Sequence, residues 1–294
     1  MDWKQSMQVC IQEVETALEE YMPKQETFPS VIFDAMRYSL FAGGKRLRPV
    51  MVLAACEAVG GDRKQAMPFA CAIEMIHTYS LIHDDLPAMD NDDMRRNRPT
   101  NHKVYGEDIA ILAGDGLLHH AMQTMAQACF QEPNKRTTGA MLAIAKGAGV
   151  DGMLTGQAVD VYMEGKPLDA QTLDFIHVHK TAAMIRGALE AGAAVGGADE
   201  KMIALFGLAG EKIGVAFQIL DDILDVTATE AELGKPIHSD EKNQKTTYVT
   251  LYGIEKSREI AAQLTQQAVE LLEQLGEKGA FLQALTKYLL QRTY

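Results

Sequence analysis

Acidic side chains are concentrated in one stretch, I-H-D-D-L-P-A-M-D-N-D-D-M-R-R, which runs from Ile82 to Arg96 and holds five aspartates within ten residues. Aspartates this close repel one another, so their pKa values rise unless a cation neutralises them. Oxygen ligands without a suitably spaced histidine or cysteine favour a hard cation, and Mg²⁺ is commonly held by one or two carboxylates together with substrate phosphates. Taken alone, the stretch also fits an exposed acidic loop.

A second acidic cluster, Q-I-L-D-D-I-L-D, covers Gln218 to Asp225 inside an apolar run with helical periodicity. Asp221 and Asp225 fall one turn apart on the same helix face, and Asp222 lies three residues before Asp225. A solvated face explains three acids on an otherwise apolar helix poorly. The sequence therefore predicts a second group of metal-binding carboxylates.

Pro87 is expected to shape the first cluster. On a regular helix the side chains of Asp84 and Asp90 diverge. Proline removes a backbone donor and should end or kink the helix, which lets Asp90 turn back toward Asp84.

Two cationic segments accompany the acids: G-G-K-R-L-R-P, from Gly43 to Pro49, and the pair Arg95 and Arg96. Arginine forks suit bidentate contacts to phosphate, although surface solubility is the alternative interpretation. Acidic and basic groups together favour a pair of bound anions, at least one of them bridged by metal. Diphosphates are the natural candidates.

Composition narrows the remaining classes. The 294 residues are 47% hydrophobic and carry a formal net charge of -12, which argues against nucleic acid as a partner. The four cysteines, at positions 10, 56, 71 and 129, form no C-x-x-C pair, so a reducing cytoplasm fits. The acidic N-terminus does not resemble a signal peptide. The sequence contains no run of eighteen apolar residues without a charge, so we expect no membrane span.

The apolar residues recur with helical spacing, as at Ile11, Val14, Leu18 and Tyr21, and alternating strand patterns are nearly absent. Neither an internal repeat nor a shift in composition marks a boundary. We predict one all-α domain over residues 1–294, built from about ten helices joined by short loops.

The motifs H-D-D-L-P-A-M-D-N-D-D-M-R-R, D-D-I-L-D, G-G-K-R-L-R-P and H-K-T closely resemble those of the trans-isoprenyl diphosphate synthases, above all the bacterial farnesyl diphosphate synthases. The resemblance covers nearly the whole chain from Gly43 onward. It implies an all-α bundle around a deep central cavity, usually as a homodimer. It also implies Mg²⁺-dependent condensation of isopentenyl diphosphate with dimethylallyl and geranyl diphosphate, by ionisation, condensation and elimination, to give farnesyl diphosphate.

The resemblance assigns roles residue by residue. The implied catalytic residues are Asp84, Asp85, Asp90, Asp221, Asp222, Asp225 and Lys180. Of the aspartates, all except Asp222 are expected to bind metal, with three Mg²⁺ ions on the allylic diphosphate. The residues implied at the allylic diphosphate are Arg95, Lys180, Thr181, Gln218 and Lys235, and those implied at isopentenyl diphosphate are Lys45, Arg48, His77 and Arg96, with Gly44 a further substrate-binding residue of the same turn.

Other polar residues receive weaker assignments. Gln157 and Asp160 are similar to a family pair that faces the cavity. Asp115 either supports the first motif or caps a helix. We assign His77 to the site because it lies two turns before Asp84 on the same face, although a lone core histidine is the usual alternative. The remaining histidines considered are expected to be structural: His119, His120, His177 and His179.

Product length should depend on what blocks the cavity beyond the first motif. Tyr79 stands five residues before Asp84, or about 7.5 Å along a helix. By resemblance, an aromatic side chain at this position and the two-residue expansion between Asp85 and Asp90 accompany a farnesyl product, whereas smaller residues accompany longer chains. Ser80 is assigned to chain length together with Tyr79. Simple core packing of Tyr79 is the alternative.

Two residues depart from the family pattern, because Asn97 and His238 stand where glycine is common. Asn tolerates the left-handed backbone better than most residues. By resemblance the C-terminal segment closes the site, so Arg292 is a further possible diphosphate contact.

Rival functions remain open at this level. A geranylgeranyl or longer-chain synthase shares every motif, and a non-catalytic subunit of a heteromeric synthase shares the fold but generally lacks one acidic motif. A terpene cyclase shares the metal chemistry but has no use for the second cationic site. A helical divalent-cation buffer needs the acids alone.

Overall fold

The computed structural model describes residues 3–24, 28–227 and 245–290, and these are almost entirely helical. The first half contains α1 (Trp3–Tyr21), α2 (Ser30–Leu40), α3 (Leu47–Ala58), α4 (Arg63–Asp84), α5 (Asn101–Tyr105), α6 (Glu107–Gln131) and α7 (Lys135–Ala148). A two-stranded hairpin, β1 (Met94–Arg95) and β2 (Arg98–Pro99), interrupts this series.

The second half contains α8 (Met153–Tyr162), α9 (Ala170–Ile176), a π-helix (His177–Ala182), α10 (Ala183–Gly196), α11 (Glu200–Thr227), α12 (Tyr248–Tyr252), α13 (Ile254–Glu273), a 3₁₀ turn (Gly276–Gly279) and α14 (Ala280–Leu290). The predicted all-α class is confirmed. Lys235, His238 and Arg292 lie outside the described residues.

Helix α4 runs through the centre of the protein. Its N-terminus is capped by Asp62, whose carboxylate accepts the backbone N–H of Lys64 at 2.9 Å. From Phe69 to Ile76 every residue of α4 is buried, including polar Glu74. A helix apolar on all sides must be surrounded by others, and α4 packs against α3, α6 and α10. Its C-terminal end therefore opens directly from the core.

Helix α11 forms a second wall and packs against α10 and α13. Among the described helices, α11 alone is long and apolar enough, by length and composition, to cross a membrane, and half of its apolar window is buried inside the protein. Core helices pass the same test. The C-terminal end of α11 carries the second acidic motif and faces the same cavity as the end of α4.

Candidate active site

A cavity of about 690 Å³ opens between α3, α4, α6, α8, the π-helix and α11. It gathers many of the residues singled out in the sequence. Those that line it are Arg48, His77, Tyr79, Ser80, Asp84, Arg95, Arg96, Gln157, Lys180, Thr181, Gln218 and Asp221. Apolar side chains such as Met153 and Phe217 complete the wall, so the cavity is lined by both polar and apolar groups.

The turn after α4 brings the first acidic motif together. Helix α4 ends at Asp84, and the backbone N–H of Asp90 donates to the Asp84 carbonyl at 2.8 Å. The predicted effect of Pro87 is thereby confirmed. Burial raises the pKa of Asp84; Lys180 opposes the rise and Asp90 adds to it.

Asp85 is buried against Arg95 of the hairpin. Arg95 donates through Nε at 2.7 Å and lies 2.6 Å away through Nη2, both at the Asp85 Oδ1 atom. Burial raises the pKa of Asp85 to about 6, against the opposing hydrogen bond and charge of Arg95. Asp85 thus fixes the direction of a guanidinium that lines the cavity. Its role as a metal ligand stays a prediction.

The hairpin that carries Arg95 turns tightly at Arg96 and Asn97. Both residues have positive φ, 52° and 59°, which suits the two-residue turns that join twisted strands. Asn97 therefore adopts a left-handed backbone, which asparagine tolerates better than most residues. The Arg96 guanidinium donates to the Gly43 carbonyl and lies against Gly44, so the two cationic segments meet.

An electropositive patch forms where α3 and α4 meet this hairpin. Burial lowers the pKa of Arg48, and its Nε atom has no hydrogen-bond partner among the described residues. Burial, with the charges of Arg48 and Arg96, lowers the pKa of His77 well below its usual value. A half-buried guanidinium with an unsatisfied Nε atom, beside a neutral imidazole, suits an anionic ligand. Lys45 is exposed at the edge of this patch and does not line the cavity.

Arg46, to which sequence reasoning gave no role, is among the largest fully buried side chains. It donates to Glu15 of α1 at 2.6 Å, to Glu74 of α4 at 2.8 Å and to the Leu40 carbonyl at 2.7 Å. Its backbone is left-handed, with φ 48°. Arg46, the second residue of the K-R-L-R turn, therefore holds the turn against the core through its buried hydrogen bonds. The turn contains three basic residues, and the sequence alone does not indicate which of them points into the core.

The acids of the second motif face different ways. Asp221 lines the cavity, whereas Asp222 and Asp225 are buried. Asp222 accepts the backbone N–H of Tyr248, at the start of α12, at 3.1 Å, and the Gln218 amide at 3.1 Å. Gln218 in turn accepts the Thr181 hydroxyl at 2.7 Å. Asp222 thus joins α11 to α12.

The H-x-H-K-T motif forms the π-helix, a rare conformation often found at functional sites. Gly156 of α8 lies directly against it, because a Cβ atom at Gly156 would come within 2.1 Å of the Lys180 backbone nitrogen. Lys180 reaches Asp160 at 2.6 Å. Burial raises the pKa of Asp160, but Lys180 and Lys245 outweigh it, so the pKa lies below its usual value.

The two histidines of the π-helix pack against neighbouring rings, and their structural role stays a prediction. His179 donates through Nδ1 to the Phe175 carbonyl, 2.8 Å away, and its ring stacks on the Phe175 ring. His177 stacks on Tyr248, and burial lowers its pKa to about 4. On α6, His120 contacts the Tyr21 carbonyl at 2.8 Å.

Two further polar residues contact the first acidic motif. Gln157 donates to Asp84 at 2.9 Å, and its Oε1 atom has no partner among the described residues. Lys245 lies 3.3 Å from Asp90 and 3.6 Å from Asp160. Sequence reasoning missed Lys245, although its place just before T-T-Y, after the second motif, was a usable signal.

The donor set fits a hard divalent cation. Asp84 and Asp221 face one cavity, Asp90 is hydrogen-bonded back to Asp84, and carboxylate oxygens are the ligands that Mg²⁺ prefers. Within the described ranges, no three acidic, histidine or cysteine side chains are already gathered closely enough to hold a metal. Lys180 and Lys245 instead neutralise part of the carboxylate charge.

The helical bundle, its cavity and the acidic motifs on two facing helices together define a class of protein, and the match to a family model identifies it. Residues 29–286 match the polyprenyl synthetase family model, and the chain belongs to that family. Its activity is that of a prenyl diphosphate synthase.

Two curated relatives differ in product. The chain is 48% identical to the chloroplastic geranylgeranyl pyrophosphate synthase of Capsicum annuum over 281 residues, which cover 95% of this chain and 76% of the relative. It is 47% identical to the farnesyl diphosphate synthase of Geobacillus stearothermophilus over 272 residues, which cover 92% and 91%. Among solved structures, a Helicobacter pylori geranyltransferase complexed with magnesium and isoprenyl diphosphate matches with TM-score 0.86 and 34% identity, over 99% of this chain and 97% of that one.

Proposed function

We propose that this chain is a farnesyl diphosphate synthase, which condenses isopentenyl diphosphate with dimethylallyl and then geranyl diphosphate. The observation that carries the proposal is the placement of Tyr79, which is buried in the wall of the cavity that also receives Asp84 and Asp221. A ring at that depth limits the room for a growing chain.

Magnesium is assigned to the acidic motifs: Asp84, Asp85, Asp90, Asp221 and Asp225. Bound there, Mg²⁺ would act as a Lewis acid that stabilises negative charge on the leaving diphosphate. Arg95 and Lys180 supply positive charge in the wall of the same cavity. Thr181 and Gln218 present a hydroxyl and an amide at its edge.

The second substrate fits the patch formed by Arg48, His77 and Arg96. Holding both substrates in one cavity converts a bimolecular encounter into a local one, which can contribute about 7–11 kcal/mol toward the barrier. The released diphosphate is assigned the proton in the elimination step, so the proposal requires no protein base.

Geranylgeranyl diphosphate is the second candidate product, and the identity to the Capsicum annuum enzyme favours it. The test is incubation of the purified protein with isopentenyl diphosphate and dimethylallyl, geranyl or farnesyl diphosphate, with Mg²⁺ or chelator, and mass identification of the products. Metal-dependent farnesyl diphosphate as the end product supports the proposal. Mainly C20 or longer products contradict it, and no product at all favours the non-catalytic subunit.

Tyr79 itself is tested by substitution. We expect Tyr79→Ala to lengthen the product, because it removes the ring from the cavity wall. Tyr79→Phe is the matched control, since it keeps the ring and loses the hydroxyl, and its product should match that of the unchanged protein. Equal product spectra for the alanine variant and the unchanged protein would refute the role of Tyr79.

We also propose a homodimer in the cytoplasm. The homodimer is expected from the resemblance, and exposed apolar Leu112 on α6 offers surface for a second copy to cover. Light scattering after gel filtration should give twice the monomer mass, and a monomer mass would contradict it.

A further inference from the structure

His83 is the residue before the first aspartate, and nothing in the proposed chemistry uses it. Its ring lines the cavity where α4 meets α6. We propose that His83, seated on Gly114 of α6, braces Tyr79 and with it sets the chain length of the product. The proposal rests on the assigned synthase activity and identifies a further specificity-determining residue for it.

The two rings form one continuous wall. Tyr79 and His83 lie one turn apart on the same face of α4, with centroids 5.7 Å apart and planes at 80°. This edge-to-face arrangement is the favourable one for aromatic pairs. Rotation of the Tyr79 ring toward α6 is therefore blocked by the His83 ring.

A hydrogen bond holds His83 in turn. Its Nε2 atom lies 3.0 Å from the Ile111 carbonyl. A carbonyl accepts only, so this contact requires a proton on Nε2. Asp115 lies four residues after Ile111 on α6, and its carboxylate oxygen is 4.0 Å from His83 Nε2. Asp115 lies inside α6, so the alternative that it caps a helix is wrong.

Gly114 leaves the space beside α6 that the His83 ring occupies. A Cβ atom built at Gly114 would lie 2.2 Å from His83 Nε2 and 2.5 Å from Cδ2, well inside contact distance. Any other residue at position 114 would force the imidazole off the Ile111 carbonyl. Since α4 and α6 close on either side, the displaced ring has the cavity beside Tyr79 as its free space.

Two single variants should therefore move the product in opposite directions. His83→Ala removes the brace, enlarges the cavity and should raise the ratio of C20 to C15 product roughly tenfold, the discrimination a hydrophobic pocket commonly gives for small size differences. Gly114→Ala pushes the ring inward and should raise the share of C10 product.

The double variant His83→Ala with Gly114→Ala gives the sharpest test, because the added methyl then has no ring to displace. It should behave like His83→Ala alone. Gly139→Ala on α7 is the matched control, since its Cβ would meet Ala194 at an ordinary 3.6 Å, and it should leave the products unchanged. Product distributions are compared by mass at equal substrate turnover.

An unchanged distribution in His83→Ala, or an effect of Gly114→Ala that persists in the double variant, would overturn the proposal. If Gly114→Ala does not fold, His83→Ala still decides it. The reference is always the unchanged protein. If the unchanged protein makes C20, the farnesyl assignment fails while the His83 brace is still judged by the shift from C20.

Discussion

Asp85 accepts its hydrogen bond from Arg95 in a buried setting, so its ionisation controls both a negative charge and the direction of a guanidinium. With a pKa of about 6, it is ionised near neutral pH and becomes neutral as the pH falls below that value. Protonation removes charge from the first acidic motif and releases Arg95. Metal ligands must be deprotonated, so protonation of Asp85 weakens metal binding.

We therefore expect Mg²⁺ dependence to change with pH. Between about pH 7.5 and about pH 5.5, the ionised fraction of Asp85 falls about fourfold, and the Mg²⁺ concentration for half-maximal activity should rise by about that factor. Asp85→Asn cannot titrate and should lose this part of the dependence. Identical pH dependence in both proteins would contradict the assignment.

Arg48 presents a different balance between function and stability. Its Nε atom lacks a partner among the described residues, so the guanidinium is held at a cost until an anion binds. Arg48→Met should raise KM for isopentenyl diphosphate about 100-fold, the loss of a charge-assisted contact pair. The thermal midpoint should equal or exceed that of the unchanged protein. A lower midpoint with unchanged KM would indicate a structural role.

At the scale of elements, Arg46 fixes the turn before α3 to α1 and α4. Breaking a buried ion pair leaves the partner charge uncompensated, so Arg46→Met should destabilise the fold by about 3–5 kcal/mol, measured by urea unfolding. Arg46→Met with Glu74→Leu should recover most of that loss, because no buried charge is left unpaired. Equal destabilisation in the single and double variants would contradict this reasoning.

Asp222 connects α11 to α12, which begins with a capping box between Thr247 and Thr250. Lys245 lies three residues before the start of this helix. We therefore expect Asp222→Ala to misplace the Lys245 ammonium and lower kcat about 10–100-fold, as loss of a supporting partner typically does. Asp222→Asn keeps an acceptor for the Tyr248 N–H and should retain more activity. If both variants lose activity equally, the carboxylate charge itself is required, as at a metal.

For the molecule as a whole, the sequence predicted what local chemistry determines. The all-α class was predicted from the helical periodicity, and the return of Asp90 toward Asp84 was predicted from Pro87. These features depend on residues close together in the chain.

Features that depend on packing between distant segments escaped prediction. The inward direction of Arg46 requires Glu15 and Glu74 from two other helices. The position of Lys245 requires acids from α8 and from the turn after α4. The π-helix requires the close approach of Gly156, which i, i+2 spacing does not reveal.

The ion pairs of Lys180 and Lys245 with acidic groups affect how strongly the enzyme binds metal and diphosphate. The Lys245 ammonium competes with Mg²⁺ for Asp90, and the charge of Lys180 opposes a cation near Asp84, whereas a diphosphate attracts both lysine and metal. Metal and diphosphate should therefore bind with positive heterotropic cooperativity, each raising the affinity for the other by the same factor. Occupancy of the site by metal then follows the supply of allylic substrate rather than the ambient metal concentration alone.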